Sequence, residues 1–309
     1  MNIHFARHRA WHDTWRRVEG PTWLTLLLTY VAWGLTTWFA TRLPLLLVFC
    51  AGGIIVCVYG SLQHEALHGH PTRHSKLNAW LVMLPIGLWM PYPIYRDTHL
   101  AHHACDRLTD PRADPESFYV QLEDWQRLPP WVRFPLEINN TLLGRLVIGP
   151  WIVVTRFWTR EVSRVTRSPY PDLGVWLVHG MLIGVVMTWV VAVCDLPAWQ
   201  YVLCFAWPGL SLTLLRSYFE HRPAADPEHR TIIVEGSWFS KLLFLNNNLH
   251  AVHHRWPGLP WYELPGRYAT QRDAIIEQNG GFVIRGYGDL FKSYGLRSKD
   301  SPAYPSREG

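Results

Sequence analysis

Histidines in a repeated helical spacing dominate the chemistry that this sequence can offer. His250, His253 and His254 stand at positions i, i+3 and i+4, which share one face of a helix. The same spacing recurs in a second group, and a third group has two histidines four residues apart: His99, His102 and His103, then His64 and His68. Eight of the 16 histidines thus fall into ligand-like patterns. Because neutral imidazole is a common metal ligand, the pattern predicts a metal centre.

The number of histidines bears on the number of metals. Imidazole suits zinc, copper, iron and nickel, so the ligand type does not choose among them. Structural zinc takes four ligands and catalytic zinc takes three, so eight histidines exceed any mononuclear site and favour two metals. His221 is a further candidate just beyond an apolar segment, with a surface histidine beside Glu220 and Arg222 as the alternative.

The elements that must position these histidines belong to a membrane protein. Aromatic residues make up 14% of the chain, with 18 tryptophans, and charged residues only 17%, below the roughly 25% usual for globular domains. Four segments without a charged residue can each cross about 30 Å of hydrocarbon as a helix: 22–40, 45–63, 173–194 and 198–215. The sequence therefore predicts four transmembrane helices.

The connections between these segments predict the topology. Short turns join the first two and the last two segments, and arginines precede the first, so the positive-inside rule places the N-terminus and every histidine group on the cytoplasmic side. Segment 77–95 is uncharged but broken by Pro85, Pro91 and Pro93. If it crossed the membrane, the first two histidine groups would be separated, so we expect it to be re-entrant or interfacial. Segment 142–158 carries two arginines and is expected along the interface.

The predicted fold class is therefore an all-α integral membrane protein. It has four transmembrane helices in two hairpins and a cytoplasmic helical cap that holds a histidine-rich dimetal site. We expect one domain over 1–309, divided into a cytoplasmic N-terminus (1–20), a first hairpin (22–63), a region with the first two histidine groups (64–172), a second hairpin (173–215) and a cytoplasmic C-terminal region (216–309). The location expected is the cytoplasmic (inner) membrane.

Charge and cysteines exclude other classes. The net charge of +5 comes mostly from residues that flank apolar segments, which indicates contact with anionic membrane lipids and not with nucleic acid. The five cysteines are scattered without a CxxC pair, so neither a disulfide framework nor an iron–sulfur motif is indicated.

The order of the motifs resembles the membrane fatty acid desaturase family, whose relatives include hydroxylases and carotenoid ketolases. HxxxH follows the first hairpin, HxxHH follows the broken apolar segment, and a second hairpin, a lone histidine and another HxxHH come after. The resemblance implies a di-iron centre, O2 as co-substrate and an external electron donor. It also implies nine histidine ligands: His64, His68, His99, His102, His103, His221, His250, His253 and His254. In animal acyl-CoA desaturases an asparagine one turn before the lone histidine holds a metal-bound water, and here Ser217 occupies that position.

The resemblance further implies removal of hydrogen from an unactivated C–H bond of a long-chain acyl lipid. Desaturation is the expected outcome, while hydroxylation, ketolation and oxidative decarboxylation share the same first step and remain open. Electrons would come from a separate ferredoxin, rubredoxin or cytochrome, docking on basic residues of the cytoplasmic face: Arg156, Arg160, Arg164, Arg167, Arg222, Arg230, Arg255 and Arg267.

Polar residues close in sequence to the histidines are expected to orient the imidazoles. They are Glu65, Asp97, Asp106, Asp114, Ser217, Glu220, Asn246, Asn247 and Asn248. The aromatic and proline-rich segments 89–92 and 256–262 are expected either to wall a tunnel for the acyl chain or to anchor at the membrane interface.

Two other functions compete. His64, Glu65 and His68 form an HExxH motif, in which two histidines bind zinc and the glutamate is the general base of a metalloprotease. A metal transporter or sensor would place ligands near the middle of the membrane, where only His179 lies. We expect His179 to be a buried, hydrogen-bonded histidine.

Overall fold

The computed structural model describes residues 14–167 and 173–304, and these are mostly helical. Residues 1–13, which carry part of the predicted basic N-terminus, and 305–309 at the C-terminus lie outside the described residues. The first eight helices are α1 Gly20–Phe39, α2 Leu45–Leu67, α3 Ser75–Leu81, α4 Tyr92–His103, α5 Leu122–Arg127, α6 Pro130–Asn139, α7 Leu142–Val147 and α8 Gly149–Arg167. The others are α9 Leu173–Met187, α10 Ala198–Tyr201, α11 Trp207–Glu220, α12 Trp238–Leu243, α13 His250–Arg255, α14 Leu264–Gln278 and α15 Tyr287–Tyr294. Strands β1 Ile233–Val234 and β2 Val283–Ile284 pair in parallel.

Four helical stretches in the described residues are long and apolar enough to cross a membrane. They are Gly20–Arg42, Leu45–Leu67, Leu173–Val193 and Ala198–Glu220. A helix of 23 residues is about 34 Å long, which exceeds the hydrocarbon thickness of about 30 Å. Large apolar side chains on these helices are exposed, for example Leu27, Leu46 and Leu177. Such a surface is stable against lipid but not against water, as expected of a membrane protein.

The two C-terminal stretches are not regular throughout. Thr188–Val193 and Val202–Ala206 are π-helical, and π-helical segments are uncommon. The second of them continues into α11 and packs against α2. The predicted ends of the four segments agree with the structure to within a few residues, but the π-helical segments were not predicted.

Glycines allow α2 to approach the fourth stretch closely. A Cβ at Gly52 would lie 2.4 Å from the carbonyl oxygen of Cys204, and one at Gly209 would lie 2.4 Å from Cβ of Val56. These positions therefore accept no larger residue without moving backbone or a β-branched side chain. Small residues of this kind let backbones meet in membrane proteins. Because the last turn of α2 carries His64 and α11 ends before His221, this contact sets the distance between two histidine groups.

Between α3 and α4 the backbone is irregular, and side chains from the long helices bind it. The Tyr59 hydroxyl donates to the carbonyl oxygen of Val82 at 2.7 Å, and the Tyr201 hydroxyl donates to that of Ile86 at 2.7 Å. His179 Nε2 lies 3.0 Å from the carbonyl oxygen of Leu88. Since exposed backbone groups are costly in an apolar environment, these bonds explain how segment 77–95 stays non-helical at its centre.

Candidate metal centre

The histidines are held at the ends of helices that meet in one place. His64 is in the last turn of α2, His99, His102 and His103 are in the last turns of α4, and His221 is the residue directly after α11. The carboxyl end of a helix carries partial negative charge. Three helices thus direct their negative ends toward the cluster, which favours a cation there. The third HxxHH group lies on α13.

All nine predicted ligands come together, in two groups. One contains His64, His68, His99, His103 and His253, and the other contains His102, His221, His250 and His254. Within each group the ligand nitrogens lie within 4.8 Å of one another. The rings of His103 and His254 stack at 4.2 Å and connect the two groups. Two groups of this size suit two metal ions, as the number of histidines predicts.

The second group presents nitrogen lone pairs that a metal would satisfy. His102 Nδ1 lies 2.8 Å from a carboxylate oxygen of Asp114, and His250 Nδ1 lies 3.1 Å from the amide oxygen of Asn247. Those oxygens accept hydrogen bonds, so both Nδ1 atoms carry the proton and both Nε2 atoms offer a lone pair. Each of these Nε2 atoms lies 3.0 Å from Nε2 of His221. A neutral His221 can donate one proton to only one of the two lone pairs, so the other would be left without a hydrogen bond.

The first group gives the same indication. Nε2 of His68 and Nε2 of His99 are buried, and neither has a hydrogen-bond partner in the part of the chain that the structure describes. A buried polar atom without a partner costs free energy, and converging imidazole nitrogens are the donor set of zinc, copper, iron or nickel. The side chains therefore fit a pair of metal ions.

Burial keeps the imidazoles neutral, as ligands must be. It is the largest cause that lowers the pKa of His250, His253 and His254 well below the ordinary value, with neighbouring histidines adding to it. Burial also lowers the pKa of His103 to about 3. His102 differs: burial opposes its protonation, but the hydrogen bond to Asp114 and nearby carboxylates outweigh burial and raise its pKa.

Carboxylates surround the cluster and orient individual rings. Besides the Asp114 bond to His102, Glu116 Oε1 lies 3.0 Å from Nδ1 of His99. Asp114 also accepts the backbone N–H of Thr109 at 2.8 Å, so its position is fixed by the turn that follows α4. Asp114 was among the predicted orienting residues. Glu116 was not, and its only signal in the sequence is an acidic side chain two residues after Asp114.

The other predicted orienting residues divide into two sets. Asn247 contacts both His250 and His64, the latter at 3.4 Å. Glu220 Oε1 lies 3.5 Å from Nδ1 of His250 and 2.8 Å from Nε of Arg216. Asn246 donates to the carbonyl oxygen of Trp261, and Glu65 accepts the Trp261 backbone N–H, so these two fix the loop after α13.

Asp97 and Ser217, also predicted to orient imidazoles, have other partners. Asp97 forms an ion pair with Arg96 at 2.7 Å and its side chain is 66% exposed. The Ser217 hydroxyl donates to the carbonyl oxygen of Leu214 at 3.4 Å. Ser217 nevertheless lines the cavity described next. His179 lies outside both histidine groups and is buried and hydrogen-bonded, which confirms that prediction.

A cavity of about 900 Å³ reaches the cluster. His99, His102 and His221 form part of its wall. Much of the remaining wall is apolar, with Val56, Leu88, Trp89, Met90, Ile94, Trp151, Phe157, Leu210 and Leu214 among its residues. Of the two aromatic and proline-rich segments, 89–92 contributes Trp89 and Met90 to the wall, whereas no residue of 256–262 lines it. The volume of the cavity lies near the upper end of the range of about 300–1,000 Å³ that ligand pockets show.

Comparison with known proteins gives a family and several relatives. The family model "Fatty acid desaturase" matches residues 37–284, which include all nine clustered histidines. A zeaxanthin 4-ketolase of Chlamydomonas reinhardtii is 27% identical over 225 residues, covering 69% of this chain and 41% of the ketolase. A beta-carotene 4-ketolase of Protosiphon botryoides is 24% identical, covering 65% and 46%, and a beta-carotene ketolase of Haematococcus lacustris is 22% identical, covering 65% and 55%. The chain spans about half the length of the curated relatives it matches.

The family match covers well over half of the chain and agrees with the helices and histidines that the structure shows. The chain belongs to the fatty acid desaturase family, a family of membrane di-iron oxidoreductases.

Proposed function

We propose that this protein is an O2-dependent di-iron oxidoreductase that introduces a double bond into a long-chain acyl lipid. The observation that carries the proposal is the convergence of nine histidines at the wall of a largely apolar cavity. Removing hydrogen from an unactivated C–H bond needs a redox cofactor, because protein side chains cannot perform it. Family membership supports iron as that cofactor.

Each part of the site has a separate task in this proposal. The five-histidine and four-histidine groups each hold one iron. When bound, the two irons supply O2 activation and hydrogen removal. Asp114 and Glu116 fix the rings of His102 and His99, and partners of this kind raise the basicity of a ligand. The apolar cavity excludes water and positions a methylene group of the chain at the cluster.

We also propose that the four apolar stretches cross the cytoplasmic membrane as two hairpins, with the metal centre and both termini on the cytoplasmic side. The short connections between them, within 40–44 and 194–197, and the arginines near the ends of the helices support this topology. In a cysteine-free background, a cysteine at Asp195 should react with an impermeant thiol reagent from outside intact cells, and one at Arg127 should not. The reverse labelling would overturn the topology.

Two measurements test the function. Elemental analysis of the protein purified in mild detergent should give about two irons per chain, and His102→Ala and His253→Ala should lose them. Expression in a host that lacks the activity should add double bonds to acyl lipids, and His253→Ala should not. One zinc per chain and no new lipid product would contradict the proposal.

Ketolation of a carotenoid ring is the second candidate, and it is favoured by the names of the relatives. Both outcomes begin with the same hydrogen abstraction, so the metal centre does not separate them. Expression in a carotenoid-producing host decides between them, because a ketolase adds a conjugated carbonyl that shifts the absorption of the pigment to longer wavelength. Unchanged pigment together with new acyl double bonds would leave desaturation.

The zinc-protease alternative gains no support. In an HExxH protease the glutamate must act on the metal-bound water, but Glu65 accepts the backbone N–H of Trp261 at 3.0 Å. His64 and His68 also belong to a five-histidine group instead of a three-ligand site. Glu65→Gln, which keeps the hydrogen-bond acceptor, should therefore leave the iron content unchanged.

A further inference from the structure

A buried arginine that forms no ion pair within the described residues lies on the wall of the large cavity. Arg145 on α7 is 3% exposed, and its Nε and Nη1 atoms have no hydrogen-bond partner among residues 14–167 and 173–304. Its guanidinium lies close to two aromatic rings, with Cζ 4.1 Å from the centre of the Phe118 ring and 5.5 Å from that of Tyr218. Arg145 and both aromatic residues line the cavity.

The contacts with these rings do not satisfy the N–H donors of the guanidinium. Cation–π contacts act on the faces of the guanidinium, whereas its five N–H donors lie in its plane and require acceptors. Burial lowers the pKa of Arg145 to about 10, so the group is still charged at neutral pH. An uncompensated buried charge costs folding free energy. An anionic ligand that binds the guanidinium would offset this cost.

The acids near the cavity are already engaged. Each of the four carboxylates that line it contacts another residue: Asp114 with His102, Glu116 with His99, Glu161 with Arg164 and Glu220 with Arg216. Asp300, behind the wall, accepts the Tyr119 hydroxyl at 2.5 Å and lies 3.7 Å from Nζ of Lys299. In the described parts of the chain, therefore, no carboxylate forms an ion pair with Arg145.

Further cations stand on the same wall. Arg156 and Lys299 also line the cavity. Lys299 is held by the carbonyl oxygens of Tyr218 and His221 at 3.0 and 3.2 Å. The cavity thus combines an apolar wall with a positively charged region that its own acids do not neutralise.

We propose that Arg145 is the centre of an anion-binding subsite inside this cavity, which takes the acidic head group of an amphiphilic substrate while the apolar wall takes its chain. The planar fork of the guanidinium matches a carboxylate, which it binds with two parallel hydrogen bonds. The inference rests on the proposed function, since it describes the substrate of that same cavity. It favours an acidic lipid over a neutral carotenoid.

Equilibrium binding to the full-length protein in a neutral detergent tests this proposal, because it needs no turnover. The probes are palmitate, hexadecanol, methyl palmitate, hexadecyl phosphate and inorganic phosphate. Palmitate should bind about tenfold or more tightly than hexadecanol or methyl palmitate, as expected for charge-assisted hydrogen bonds to a buried group. Arg145→Gln should remove this preference and keep the binding of hexadecanol. Arg127→Gln, at an exposed arginine outside the cavity, is the matched control and should behave as the wild type.

The outcomes distinguish three anions that could bind Arg145: the carboxylate of a fatty acid, the phosphate of a lipid and a free inorganic anion. Tighter binding of hexadecyl phosphate than of palmitate would support the subsite and assign it to phosphate lipids. Equal binding of palmitate and hexadecanol by the wild-type protein would overturn the proposal, even if Arg145→Gln does not fold. If inorganic phosphate binds as tightly as hexadecyl phosphate and displaces palmitate, the chain adds nothing, and this result would overturn the proposal in favour of a free-anion site. Because iron content and lipid products are measured separately, failure of the head-group preference leaves the proposed function intact.

Discussion

At the scale of single residues, the bond between His102 and Asp114 makes a sharp prediction. Asp114→Asn keeps the size of the side chain but removes the charge, so His102 is held less firmly with its Nε2 toward the cluster. Loss of such a partner typically costs 10–100-fold in metal affinity, and we expect the iron affinity to fall by about that factor. The measurement is iron retention during dialysis against a graded series of chelator concentrations.

Asp97→Asn is the matched control, because Asp97 is exposed and pairs with Arg96. It was predicted from the sequence as an orienting residue on the same footing as Asp114, so the two variants compare the same chemical change at a contacting and a non-contacting position. Equal iron retention by both variants would contradict the role of Asp114.

The sequence revealed the histidines but not all of their partners, for a physical reason. Positions i, i+3 and i+4 share a helix face whatever the rest of the chain does, so each histidine group is visible locally. The contact between His99 and Glu116 depends on the turn that brings 110–117 back to α4, which hydrogen bonds such as that from Thr109 to Asp114 build. Arg145 was expected at a membrane interface on charge alone, whereas its burial against Phe118 depends on residues distant in sequence.

At the scale of elements, the contact between α2 and α11 tolerates a larger side chain poorly, because glycine lies where the two helices meet. Gly209→Val would bring a Cβ to within 2.4 Å of the Val56 side chain. Overpacking of this kind costs about 1–3 kcal/mol, so we expect a lower thermal unfolding midpoint and a disturbed distance between the histidine groups. Thermal unfolding in detergent, followed by the iron content of the folded fraction, measures both effects.

Gly184→Val is the control for this substitution. Gly184 lies in α9, another apolar helix, and a Cβ there would meet nothing within 4 Å. Its unfolding midpoint should match that of the wild type. If both variants unfold together, the loss reflects helix propensity and not the contact with α2.

The absence of charged residues and the length of each segment predicted these helices well because the membrane requires about 20 apolar residues per crossing. They could not predict how segment 77–95 is held. That depends on hydroxyl groups of Tyr59 and Tyr201, which stand in two different helices and reach carbonyl oxygens of the irregular segment. In the sequence each is one more aromatic residue in an apolar segment.

At the scale of the whole molecule, the metal centre connects segments from His64 to His254. Removing the metals should therefore lower the unfolding midpoint of the whole protein. A ligand at 1,000 times its dissociation constant stabilises the folded state by about 4 kcal/mol. Unfolding with and without chelator, and after return of ferrous iron, measures the effect. His253→Ala should not respond to iron, whereas His229→Ala, at a partly exposed histidine outside both groups, should respond as the wild type.

A second prediction at this scale concerns the electron carrier. Arg255 and Arg267 are exposed and both lie over the ring of Trp256, which is two residues after His254. Charge reversal of both should raise the apparent KM for an acidic carrier such as a ferredoxin and weaken its salt dependence. Steady-state turnover at several ionic strengths measures this. Arg127→Glu is the control, and an unchanged KM in the double variant would place the docking surface elsewhere.

The two HxxHH groups also set the order of events during synthesis. Roughly 150 residues separate His103 from His250, and at about 5–20 residues per second the ribosome needs about 7–30 seconds to produce them. For that interval five of the nine histidines are already made while their partners on α13 do not yet exist. Neither metal-binding cluster can be completed before α13 is translated. The five-histidine cluster takes His253 from α13, and the four-histidine cluster takes His250 and His254. Metal loading is therefore a late step of biogenesis, and a chain truncated before His250 should enter the membrane but retain no paired metals.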